Sequence, residues 1–167
     1  MYDQSPAGFG VVLLFKINYS MKKFVIAVSV LLCLATGAVA QKAAVFTPAE
    51  GAIHGYDPVA YFKESKPVKG DAKYVYTWNA ADWYFVNQQN LDAFKANPEK
   101  FAPQYGGYCA YGLADGHKAP TDPEAWTIVD NKLYLNYNKN VQQLWKKKQD
   151  VYIQTADKKW PALKDKE

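Results

Sequence analysis

Trp126-Thr127-Ile128-Val129-Asp130-Asn131-Lys132-Leu133-Tyr134-Leu135-Asn136 is the stretch that decides the fold. Two runs of strand-forming residues flank Asp130-Asn131, a pair that tolerates the left-handed backbone of a tight turn, so the stretch predicts a β-hairpin. A second hairpin is predicted upstream. Lys73-Tyr74-Val75-Tyr76-Thr77-Trp78 forms one strand, Asn79 to Asp82 turns, and Trp83-Tyr84-Phe85-Val86 returns. Helices are expected around them. Asp57 before Pro58 reads as an N-cap with proline in the first turn. Gln88 to Ala96 makes a short helix with Leu91 and Phe94 on one face, and Asn97 caps a further turn that points Phe101 inward. Asn138 or Asn140 opens a long helix to about Lys159, with Val141, Leu144, Trp145, Tyr152 and Ile153 on an irregular apolar stripe. The expected class is α+β: a small single domain of two β-hairpins with helices packed against them and a long C-terminal helix. The halves resemble each other loosely, each with a tryptophan, a turn, a strand and a helix, but the match is too thin to establish a duplication.

Composition narrows the function. The chain has 167 residues, 16% of them aromatic, with 13 Tyr, 8 Phe and 5 Trp. Its mean hydropathy is −0.34. This describes a globular chain with bulky core material, not a disordered or multi-span one. All 20 basic residues are Lys. Nucleic-acid readers depend on bidentate Arg contacts, so no nucleic-acid partner is expected.

The N-terminal region reads as a targeting segment. Met21-Lys22-Lys23 precedes an apolar run from Phe24 to Leu34, and Ala38-Val39-Ala40 supplies small residues for cleavage. That order describes a signal peptide over residues 21–40, cleaved after Ala40. The run is shorter than the ~20 residues a membrane span needs, so no stable span is expected after cleavage. Residues 1–20 lie upstream and read as a mis-assigned start or added sequence. The mature chain, residues 41–167, carries 17 Lys against 15 acidic residues and is nearly balanced. Export to the periplasm or outside the cell is the expectation. Cys33 leaves with the signal, which makes Cys109 a lone thiol in an oxidising compartment: buried, metal-bound, redox-active or paired between chains.

Candidate chemistry gathers in the patternless segment from Gln104 to Pro123. Gly106-Gly107 precedes Cys109, and a helical turn from Ala110 would place the sulfur at its positive end, where a thiolate is favoured. The bland alternative is a buried cysteine among Tyr105, Tyr108 and Tyr111. His54 and His117 are the only histidines. One thiolate and two imidazoles suit copper or zinc. His117 could fold back toward Cys109 across Gly112 and Gly116, whereas His54 could approach only through the tertiary fold. Without C-x-x-C or H-x-x-x-H spacing the ligand set is a weak signal, and two exposed loop histidines are the plainer explanation of the pair. Asp57, Asp82 and Asp130 read as a cap and two turns, and Lys146-Lys147-Lys148 as a solvated helix face. No nucleotide or flavin motif, nucleophile elbow or zincin helix is present.

Several runs together resemble the YHS domain family: His54-Gly-Tyr-Asp-Pro-Val-Ala-Tyr-Phe62, Trp83-Tyr-Phe85, Phe94-Lys-Ala-Asn-Pro-Glu-Lys-Phe-Ala-Pro103 and Gln104-Tyr-Gly-Gly-Tyr-Cys-Ala-Tyr111, with Asp122 to Asn138 adding to them. The resemblance covers about residues 50–160 and is to the secreted YHS domain-containing (seleno)protein branch. Metal-binding members carry three cysteines at positions matching Ala60, Val86 and Asn90, so their metal role does not transfer through those residues. Some relatives place selenocysteine at the position matching Cys109, which implies chemistry at that atom. The expected function is an exported metal-binding protein, copper before zinc, with Cys109, His117 and His54 as ligands. The alternative is a thiol-based redox protein in which Cys109 meets a small thiol or peroxide substrate without metal. A third is a non-catalytic binding module built on the aromatic surface.

Overall fold

The computed structural model describes residues 44–166. The expected extension and signal peptide, and the start of the mature chain, lie outside the described residues. The chain runs turn, helix, hairpin, two helices, and then repeats that order. In the first pass a turn at Ala52–Gly55 leads into α1 (Pro58–Lys63), β1 (Asp71–Trp78), β2 (Ala81–Phe85), α2 (Gln88–Ala96) and α3 (Pro98–Phe101). The second pass has a turn at Gln104–Gly107, α4 (Ala110–Asp115), β3 (Asp122–Val129), β4 (Lys132–Asn136), α5 (Lys139–Lys146) and α6 (Gln149–Leu163). The α+β expectation holds, with each hairpin a separate two-stranded antiparallel sheet.

The halves are much more alike than the sequence suggests. Both hairpins pair an eight-residue strand with a five-residue one. Their two-residue turns, Asn79-Ala80 and Asp130-Asn131, have positive φ throughout. That geometry matches the twist of the strands it joins. Each first strand slips register at the same place, between Asp71 and Val75 and between Asp122 and Trp126. Asn87 and Asn138 cap the following helices by accepting the backbone N–H of Asn90 and Val141. The leading turns match too, since Ile53-His54 and Tyr105-Gly106 are left-handed pairs. Equivalent residues lie about 51 or 52 apart, a spacing that marks a structural repeat. Few side chains are shared between the copies, so the repeat survives in backbone geometry more than in composition.

The strands differ in what covers them. In β2, Ala81, Trp83 and Phe85 enter the first core while Asp82 is exposed. In β4, Leu133 and Leu135 join that same first core, and Tyr134 joins a second with Tyr105, Tyr108, Leu113 and Trp145. Both faces of β4 are therefore buried, which explains its unbroken apolar run. The predicted long helix is broken at Lys147-Lys148, where Lys148 leaves helical geometry, and it resumes to Leu163.

Candidate functional site

The repeat sets Cys109 opposite Asp57. Each precedes a six-residue helix as its N-cap. Each also donates its backbone N–H to a carbonyl in the connection that follows, Asp57 to Val68 at 2.9 Å and Cys109 to Ala119 at 3.0 Å. Asp57 is fully buried. Its Oδ1 accepts the N–H groups of Val59 at 2.7 Å and Ala60 at 3.3 Å. Its Oδ2 accepts the Val86 N–H at 3.0 Å and Asn90 Nδ2 at 2.7 Å. Four donors compensate the desolvation of one carboxylate, so Asp57 is a structural hub in addition to a cap. Ala60, Val86 and Asn90 all converge on it.

Cys109 occupies the corresponding place. Tyr137, the counterpart of Val86, donates its backbone N–H to Cys109 Sγ at 3.3 Å. The thiol faces Asn136 Oδ1 at 3.8 Å. Asn136 is fully buried, and its Nδ2 has no hydrogen-bond partner among the described residues. A buried amide N–H without an acceptor is costly. Turning this amide end for end exchanges an acceptor for a donor at the sulfur. Cys109 itself is only 2% exposed, so the thiol is closed off from solvent in this conformation.

His54 is held on the same loop from the other side. Its Nε2 donates to the Thr121 carbonyl at 3.1 Å, and Thr121 Oγ1 donates to the Gly107 carbonyl at 2.8 Å. His54 Nδ1 lies 3.4 Å from Glu50. The backbone N–H of Glu50, and then the His54 ring, hold that carboxyl below its ordinary range. Both imidazole nitrogens therefore face oxygen acceptors, and ligation through either would break a contact. His117 is further out: its Nδ1 pairs with Asp115 at 3.3 Å on a side chain that is 57% exposed. Its Nε2 packs over Gly112, where an added Cβ would approach it to 3.3 Å. Gly112 is one helical turn beyond Cys109. Among the described residues, no three His, Cys, Asp or Glu are grouped to hold a metal ion.

Sequence reasoning missed Asn136 and Tyr137, which lay inside a predicted strand end and the residue after it. The available signal was the alignment of Gly55-Tyr56-Asp57 with Gly107-Tyr108-Cys109, together with that of the caps Asn87 and Asn138, the second of which carries Val86 onto Tyr137. No family model matches the chain, and no curated protein or solved structure matches it. No helix among the described residues is long and apolar enough to cross a membrane.

Proposed function

We propose that this chain is an exported thiol protein whose Cys109 reacts directly with a small hydroperoxide. One observation carries the reading: the sulfur stands where the other half of the repeat holds a buried carboxylate, with the equivalent backbone N–H aimed at it. A position whose backbone N–H meets a carboxylate in one copy turns the same donor toward sulfur in the other, and Asn136 adds a second donor once its amide turns. The thiolate attacks one peroxide oxygen, an S–O bond forms and the O–O bond breaks. Sulfur is oxidised by two electrons to sulfenic acid, and the alkoxide or hydroxide leaves with a proton from water. Two equivalents of a low-molecular-weight thiol reduce it back, releasing a disulfide and water. Burial favours a peroxide over a protein disulfide, because a sulfur 2% exposed leaves no surface on which a second protein could dock.

The test is hydrogen peroxide added to the mature protein, with dimedone trapping read by mass spectrometry. Trapping at Cys109 in the folded state supports the reading. Modification only in denaturant overturns it. A second reading, copper or zinc on Cys109 with His117 and His54, is favoured by His117 Nε2, which packs on Gly112, one helical turn along the chain from Cys109. The donors do not form a three-ligand set, since His54 is engaged through both nitrogens. Metal analysis of the purified protein, and of His117→Ala, separates the two.

A further inference from the structure

Two buried side-chain nitrogens have no hydrogen-bond partner among the described residues, Asn136 Nδ2 and Trp145 Nε1. Both residues are fully buried, and both belong to the second half. The repeat shows what stands at the same places in the first half. The spacing that carries Val86 onto Tyr137 also carries Trp83, Phe85 and Phe94 onto Tyr134, Asn136 and Trp145. Ring geometry follows the correspondence: Trp83 and Phe94 lie 5.1 Å apart at 32°, Tyr134 and Trp145 5.4 Å apart at 36°. Phe85 completes the first trio, 5.2 Å from Phe94. Asn136 stands in its place, two residues after Tyr134 and so on the same face of β4. The repeat therefore sets Asn136 between the Trp145 indole and the Cys109 sulfur, which its Oδ1 faces at 3.8 Å. A pair of phenyl rings needs no partner. An indole and a carboxamide each bring an N–H that costs free energy until an acceptor meets it. Beside the cap, Cys109 and Val141 are smaller than their counterparts Asp57 and Asn90, whose carboxylate and amide meet at 2.7 Å.

We propose that Trp145 Nε1 and Asn136 Nδ2 form an oxygen-binding site beside Cys109, and that its ligand is hydrogen peroxide, the smallest hydroperoxide. For its chemistry the site rests on Cys109 reacting with a peroxide. As the thiolate attacks the near oxygen, the S–O bond forms, the O–O bond breaks and negative charge collects on the departing oxygen. The indole N–H donates to that oxygen, which leaves as hydroxide and takes a proton from water. The Asn136 amide carries two N–H bonds, one for the sulfur and one for the peroxide. Donors fixed in a water-poor core favour such a developing charge more than donors in solvent. An alkyl hydroperoxide would have to seat its alkyl group in a packed core.

Trp145→Phe tests the site, since it gives the second half the residue that the first half carries at this place. Dimedone trapping at Cys109 with hydrogen peroxide should slow at least about tenfold. The pH midpoint of the thiolate's ultraviolet absorbance should stay where it is, because the indole serves the departing oxygen and not the sulfur. With tert-butyl hydroperoxide, trapping in the unsubstituted protein should be at least about tenfold slower than with hydrogen peroxide. A second measurement needs no reaction. Hydrogen peroxide is titrated into the Cys109→Ser protein, and the indole N–H resonances are followed by NMR, that of Trp145 being the one lost in Trp145→Phe. A saturable shift of this resonance supports the site even where Cys109 gives no dimedone adduct, an outcome that removes only the reactivity. A dimedone adduct formed as fast in Trp145→Phe, with a Trp145 resonance that peroxide does not move, overturns the site and leaves the reactive thiol standing. Equal trapping rates with the two peroxides overturn the choice of ligand.

Discussion

The first half of the molecule seals its N-cap position with a carboxylate and four donors, and the second half places a sulfur there with one donor and an amide whose Nδ2 lacks a partner among the described residues. Scaffold and position are the same, but the degree of satisfaction differs. A fully satisfied buried network rigidifies a fold, whereas an incomplete one marks a place retained for another reason. The comparison separates structure from chemistry within one chain, because each half serves as the control for the other.

Removing the hub should have the largest effect. Asp57→Ala strips the acceptor from three backbone N–H groups and the Asn90 amide, and should cost about 3–5 kcal/mol in urea denaturation, enough to unfold much of the population. Gly106→Ala comes next. A Cβ there would lie 1.8 Å from the Ala44 carbonyl oxygen, on a residue with φ of +61°, so a loss of at least about 2 kcal/mol is expected in the same assay. Cys109→Ser should cost only about 1 kcal/mol yet abolish peroxide trapping. If it destabilises as much as Asp57→Ala, the sulfur is a structural part and the contrast between the halves collapses.

Alkaline pH probes both copies at once. Burial raises the Tyr61 and Tyr105 hydroxyls well above their ordinary value, with a hydrogen bond to Asp157 adding to the effect at Tyr105, and pushes Tyr134 up to about 12. The unfolded chain releases these protons near pH 10 while the folded chain keeps them. Stability is therefore intact below pH 10 and should fall as pH rises from there through 12. Thermal midpoints across that range, with Tyr134→Phe reducing the slope, would check it. The smallest effect is expected at His54, which takes a left-handed conformation where the other half has Gly106. His54→Gly relieves roughly 1 kcal/mol of backbone strain and loses about as much with the Thr121 hydrogen bond, so the net change should be within about 0.5 kcal/mol.

The local elements were legible because each rests on nearby residues. Asp130-Asn131 and Asn79 announce turns, Asp57 and Asn138 announce caps, and Pro58 announces a first helical turn. The break at Lys147-Lys148 was hidden, since lysine is a good helix former and no glycine or proline marks the place where Lys148 leaves helical geometry. The site was legible only in part. Cys109 stood out as a lone thiol beside two glycines, but its neighbours come from β4 and the residue after it, and their approach depends on tertiary register. Asn136 reads in sequence as the end of a strand. The histidines looked like ligands by residue type, and only the fold shows that one is occupied with oxygen atoms and the other stands near solvent. Low side-chain identity concealed the repeat, whose signal is the recurrence of turn and cap positions.

The double burial of β4 has a consequence for how the chain acquires its shape. Leu133 and Leu135 complete the first core, yet they come more than 30 residues after Phe101, in the second half of the molecule. Residues 44–101 alone would leave that core without Leu133 and Leu135. A chain emerging from its N-terminus therefore remains open until nearly the last hairpin has appeared, and then closes in one long-range step. Despite the tandem plan, neither copy is a unit of folding, and amide exchange should report a single cooperative opening for both.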